Sequence, residues 1–134
     1  MLKNIFLLAV SILLSFPLFS QNNAINKSTF YINVFINSNK QVYVESNKTE
    51  FSNIKVEIKK IIRNHPFKID ETIVFRIFAD ENLKLGYISN VNREMDEAFD
   101  IPLSTRRYLL NTVQLNIDGK NWFESKNIQE LKKE

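Results

Sequence analysis

The chain has 134 residues, about one domain's worth, and carries eighteen Lys and Arg against fifteen Asp and Glu for a formal charge of +3. The basic residues fall in scattered pairs (Lys59-Lys60, Arg106-Arg107, Lys132-Lys133) with acids between them, which argues against a dedicated nucleic-acid surface. No Cys, a single His (His65) and two Gly (Gly86, Gly119) exclude a disulfide framework, a thiol nucleophile, a His-based metal site and a Gly-rich phosphate loop.

Residues 1–20 read as a secretory signal. Lys3 provides the positive start, Ile5 to Leu14 is almost wholly apolar, and Pro17 precedes the small residue Ser20, after which cleavage is expected. The alternative is a short membrane anchor, although Ile5 to Phe19 as a helix would reach roughly 22 Å against a hydrocarbon core of about 30 Å. The chain is therefore expected to be exported and periplasmic, with inner-membrane anchoring as the variant. A polar lead over residues 21–29 precedes a single domain over residues 30–134.

Phe30 to Ile36 alternates, with Phe30, Ile32, Val34 and Ile36 on one face and Tyr31, Asn33 and Phe35 on the other, the period of a strand. Asn37-Ser38-Asn39-Lys40 supplies turn chemistry, and Gln41 to Glu45 alternates again to complete a hairpin. Thr49 is positioned to cap a helix whose apolar stripe is Phe51, Ile54, Ile58, Ile61 and Ile62, and which stops by His65 because Pro66 disfavours a helical residue before it. Thr72 to Ala79 is dense in β-branched and aromatic residues, as an interior strand would be. Leu85, Ile88, Val91, Met95 and Ala98 then recur at helical spacing to about Phe99. Strand character returns at Tyr108 to Leu110, Val113, Leu115 and Ile117 alternate, and Asp118-Gly119 reads as a hairpin turn before Trp122-Phe123. The sum is an α+β two-layer sandwich: a four- to five-stranded mixed sheet with both helices on one face, plus an extra C-terminal hairpin.

This order and the residues that fill it resemble the periplasmic domain of the ExbD/TolR family of biopolymer-transport proteins. The resemblance runs from Tyr31 to about Ala98, through the hairpin YINVFINSNKQVYVES and the strand-to-helix stretch IVFRIFADENLKLGYISNVNREMDEA. In the family a similar strand ends in an Asp, here Asp80, and leads through a Tyr-Gly-like element, reversed here as Gly86-Tyr87, into the second helix. The resemblance implies an envelope energy-coupling component for transmembrane transport, whose periplasmic domain dimerises or contacts a TonB-like or ExbB-type partner or peptidoglycan. The chain departs from the pattern at the membrane: no acidic residue occurs before Glu45, so the proton-responsive Asp of the family's N-terminal helix has no counterpart.

Candidate chemistry is sparse. His65 falls at a helix C-terminus, where a cation complements the terminal carbonyls, and no nucleophile pattern accompanies it. Asp70 and Asp80 bracket a strand about 33 Å long and cannot form an acid/base couple. Asp80, Glu81 and Asn82 read as turn chemistry ahead of a helix. No catalytic, cofactor-binding or metal-ligating set is assigned. Tyr31, Phe35, Tyr43, Arg76 and Phe78 all fall by alternation on the sheet face away from the helices, and such residue types are enriched in interfaces. They are the expected partner-binding residues, unless the C-terminal segment with Trp122 and Phe123 folds over that face. The function expected is a non-enzymatic envelope interaction module. The alternative is a secreted domain that binds a small ligand or cell-wall glycan by stacking it on those aromatics.

Overall fold

The structure, a computed structural model, describes residues 27–99, 104–125 and 128; the apolar N-terminal segment lies outside the described residues. The elements are β1 (Thr29–Ile36), β2 (Val42–Val44), β3 (Asn47–Thr49), α1 (Ile54–Asn64), β4 (Thr72–Asp80), α2 (Leu85–Asp96) and β5 (Ser104–Leu110). They form one five-stranded mixed sheet in the order β3-β2-β1-β4-β5, with both helices on one face. β1, β4 and β5 run parallel, which requires a crossover before each addition. Both additions step in the same direction, so two right-handed crossovers place α1 and α2 on the same side.

The β1–β2 turn is built by Asn37, whose Oδ1 accepts from the Asn39 and Gln41 amides at 3.1 and 2.9 Å while Lys40 takes up φ 61°. β3 was not expected from the sequence. Glu45 adopts φ 52° and, with Ser46, reverses the chain so that Asn47–Thr49 pairs back onto Val42–Val44. Thr49 is thereby a strand residue opposite Val42 and not a helix cap; a 3-10 turn at Phe51–Asn53 leads into α1 with no side-chain cap. α1 ends where Pro66 requires, with His65 already extended at φ −81°, ψ 126°. α2 stops at Asp96, three residues short of the expected Phe99, and Glu97-Ala98 close it in a turn.

The helix-side core joins Ile32, Val34, Ile36, Ile73, Phe75 and Ile77 of the sheet to Ile54 and Ile58 of α1 and Ile88, Val91 and Met95 of α2, all buried. The opposite face is also closed. Phe35, Tyr43 and Phe78 form a second cluster with Leu110, Ile117, Trp122 and Ile128, so the C-terminal segment folds across the helix-free face. Phe35, Tyr43, Arg76 and Phe78, four of the five residues expected to bind a partner, are thereby buried within the chain, and only Tyr31 keeps partial exposure. The physical reason is area: the aromatic side chains of this sheet face are too much apolar surface to leave wet when the connected residues 111–125 lie at hand.

Among the described residues that covering segment contains no hairpin. Residues 112–116 and 119–121 are turns, held by Asn111 Oδ1 accepting from the Gln114 amide at 2.9 Å and Asp118 Oδ1 accepting from the Lys120 and Asn121 amides at 3.1 and 3.2 Å. Asx turns outcompeted the strand that alternation suggested. Of Val113, Leu115 and Ile117, only Ile117 is buried. Gly119 sits where a Cβ would fall 1.9 Å from Tyr43 Cε2, so its missing side chain permits close approach to the sheet, and its φ is not positive.

Candidate functional site

The residues that sequence alternation placed together on the helix-free face divide into two groups. Toward the C-terminal ends of the strands, Phe35 stacks on Trp122 with centroids 5.2 Å apart and rings inclined by 11°, Phe78 meets Trp122 at 5.5 Å, and Phe78 stacks on Tyr108 at 4.9 Å. This group is a core. Toward the N-terminal half of β1, Tyr31, Asn33 and Arg76 line an open hollow of about 450 Å³ with Glu45, Ile61 and Phe123. The Arg76 guanidinium lies 3.9 Å from the centre of the Tyr31 ring, and its Nε donates to Asn33 Oδ1 at 2.7 Å. Asn33 in turn donates from its backbone N and its Nδ2 to the Glu45 carboxylate at 2.7 and 3.2 Å. The Glu45 carbonyl then accepts from Trp122 Nε1 at 2.9 Å, tying this network to the aromatic core.

Burial disfavours the Arg76 charge and lowers its pKa, while Tyr108, Tyr31 and Glu45 act to preserve the charge. With an Arg side chain only 4% exposed, the group is a fixed positive centre and a structural pin. Sequence reasoning placed Arg76 and Tyr31 on the correct face but missed Asn33 and Glu45. An Asn in the middle of an apolar strand was the available signal, since buried amides must be paired.

His65 extends the helix end toward β4. Its ring stacks on Phe30 at 3.6 Å, and its Nε2 lies 2.8 Å from Glu71 Oε2. Ser28 Oγ donates to the other Glu71 oxygen at 3.4 Å. The His65 hydrogen bond, against an opposing contribution from desolvation, holds the Glu71 carboxyl below its ordinary value. The carboxylate stands between Ser and His, so the imidazole is not in position to take the Ser28 proton, and the trio is a clasp rather than a nucleophilic relay. Asp70 lies on the exposed loop before β4, and Asp80 is fully buried at the strand's far end. Burial pushes the Asp80 carboxyl up, but hydrogen bonds from the Thr112 hydroxyl, the Asn82 and Thr112 amides and the Asn82 side chain hold it below its ordinary value. Asp80 thus closes the turn before α2, as expected, and also fastens the C-terminal segment. Among the described residues no group of three or more His, Asp or Glu is placed to hold a metal ion.

The sheet edges are unequal. β3 is three residues long and polar, with Asn47 and Lys48 exposed and Thr49 half-buried. β5 is seven residues long and, among the described residues, pairs with β4 alone. Its register sets Arg106 opposite Arg76 and Tyr108 opposite Phe78 on the helix-free face, and Arg107 opposite Ile77 and Leu109 opposite Ala79 on the helix face. Arg106, Arg107 and Leu109 are exposed. Arg107 Nη2 donates to Asn92 Oδ1 at 3.3 Å, and Asn92 Nδ2 donates to Asp96 Oδ2 at 2.6 Å. Among the described residues no helix is long and apolar enough to cross a membrane. No family model matches the chain, and no curated protein is significantly similar to it.

Proposed function

We propose that the chain is a non-enzymatic interaction module of the cell envelope, ExbD/TolR-like in its arrangement of strands and helices, which engages a TonB-like or ExbB-type protein or a second copy through the outer edge of β5. The observation that carries this reading is that, among the described residues, β5 pairs on one side only, combined with the closure of the helix-free face by residues 111–125 and Ile128. An edge strand of this length presents a row of backbone donors and acceptors that natural proteins otherwise shorten, bulge or cover. Adding a partner strand to such an edge is a standard mode of recognition. Glycan binding, the other class considered, would rest on Tyr31 and Phe123 at the hollow, because Phe35, Tyr43, Phe78 and Trp122 are committed to the core.

The test is site-specific photo-crosslinking in envelope preparations. A photoreactive residue at Leu109 is expected to yield a discrete adduct with an envelope protein or a second copy, whereas one at exposed Val56 on α1 is not. Equal labelling from both positions, or none from 109, overturns the reading.

A further inference from the structure

The edge of β5 has a chemistry of its own, and the partner class assigned to it here rests on the reading of that edge as the interaction site. The Leu110 carbonyl accepts from the Glu81 amide at 2.9 Å on the β4 side. Backbone groups alternate along a strand, so Ser104, Arg106 and Tyr108 also direct theirs to β4, and Thr105, Arg107 and Leu109 direct theirs outward. Three residues in register therefore offer N–H and C=O groups to an added strand. Their side chains are a polar group, a cation and an apolar group that is 59% exposed.

A second copy of β5 is a poor occupant. Antiparallel pairing sets outward-directed residues opposite one another, so a two-fold axis falls at a residue: at 106 or at 107 it sets that Arg against itself, and at 108 it pairs Arg107 with Leu109 and Arg106 with Leu110, which gives neither charge an opposite charge across the seam. Like charges directly opposite each other destabilise a sheet. Two cations stand on one face of the edge, where Arg106 and the buried Arg76 flank the Tyr31 ring at 5.9 and 3.9 Å with Glu45 across Asn33 as the near acid. Arg107 stands on the other with Asp96 behind Asn92, so cations outnumber the near acids on the helix-free face and Arg107 is exposed on the other.

We infer that the β5 edge accepts an extended acidic peptide segment of a partner protein, added antiparallel, with two consecutive acidic residues opposite Arg107 and Arg106 and two apolar residues before them opposite Leu109 and Tyr108. Two consecutive residues are required because neighbouring side chains of a strand point to opposite faces, and the two Arg of β5 do the same. The apolar pair covers Leu109 on the helix face and extends the Tyr108–Phe78 stack on the other. Antiparallel addition is favoured because its ladder is the more stable per residue.

The experiment is a binding titration of the full chain, solubilised in detergent, with fluorescein-labelled octapeptides built on Val-Tyr-Glu-Glu-Thr, on the reversed order Thr-Glu-Glu-Tyr-Val, and on Val-Tyr-Lys-Lys-Thr. The first is expected to bind at least several-fold more tightly than the reversed order and more tightly still than the Lys peptide, with affinity falling as salt rises. The double variant Arg106→Glu/Arg107→Glu is expected to lose roughly tenfold for the Glu peptide and to prefer the Lys peptide, from the removal of two cross-strand ion pairs and the creation of two repulsions. Unchanged circular dichroism of the variant establishes that its fold is intact. Equal binding of the Glu and Lys peptides, or a double variant that keeps its preference for Glu, overturns the acidic-partner inference even where crosslinking at 109 succeeds. Absence of crosslinking at 109 with selective peptide binding intact overturns the envelope reading and leaves the edge chemistry standing.

Discussion

Trp122→Ala is the most direct test of how the helix-free face is closed. The indole is fully buried, stacked on Phe35, tilted against Phe78, set edge-on to Phe123 at 5.2 Å, and bonded through Nε1 to the Glu45 carbonyl. Truncating a buried Trp costs about 3–5 kcal/mol in lost transfer energy and cavity. Loss of the Nε1 donor to the Glu45 carbonyl adds to this. Against the ~5–15 kcal/mol that holds a domain of this size together, the change removes a large share of the stability. With a denaturant slope of about 1.5 kcal/mol/M, the urea midpoint should fall by roughly 2–3 M with little change in slope. Far-UV circular dichroism is the assay, since the variant lacks the chain's single Trp. Trp122→Phe separates the two contributions: it keeps the stack on Phe35 and loses the N–H donor, so it should cost about 1–3 kcal/mol. In the native chain Trp122 emission should resist quenching by acrylamide. A midpoint shift below about 0.5 M for Trp122→Ala, or free quenching of the native emission, would refute the claim that the C-terminal segment packs on this face.

On the helix side, Ile58→Ala should cost about 2–5 kcal/mol in urea melts, whereas exposed Lys59→Ala should change little; equal effects would mean that α1 docks through another stripe. Gly119→Ala drives a methyl into the Tyr43 ring and should destabilise by about 1–3 kcal/mol, and a neutral result in thermal melts would place the 119–121 turn away from Tyr43. Asp80 and Glu71 both have carboxyls lowered by hydrogen bonding, so the stability they confer is present above the ordinary values of 3.8 and 4.5 and is lost as pH falls through the lowered folded-state values. Chemical denaturation between pH 7 and pH 2 should show this decline, and Asp80→Asn should flatten part of it; an identical profile for the variant would exclude Asp80 as a source. Finally, Ile5 to Phe19 offers only Ser11 and Ser15 as polar side chains, so the chain has no titratable group there to couple proton flow. Expression in cells lacking an endogenous ExbD-type subunit should leave siderophore uptake unrestored, and restoration by this chain alone would contradict that argument.

Much of the architecture was legible in the order of the residues. Strand and helix periods are local properties of the chain: Phe30 to Ile36 repeats every two residues and Ile54, Ile58 and Ile61 every three to four, and both patterns report which side of an element is buried. Pro66 ended α1 by a clash that depends on nearest neighbours alone. Two right-handed crossovers then required both helices on one face, which left Tyr31, Phe35, Tyr43, Arg76 and Phe78 together on the other. What covers that second face was not decided locally. Val113, Leu115 and Ile117 alternate as a strand would, but the Asn111 and Asp118 side chains capture the backbone in turns, and the energy that selects this outcome comes from Trp122 reaching Phe35 and from Asp80 reaching Thr112 across more than thirty residues of chain. Likewise Glu45 turns the chain into an unforeseen β3, because its carboxylate finds Asn33 only once β1 and β2 are paired. Tertiary packing thus converted Phe35, Tyr43 and Phe78 into core, and left Tyr31 partly exposed beside Arg76. Exposure depends on which distant segments arrive and what they bury, and periodicity within one element carries no information about that.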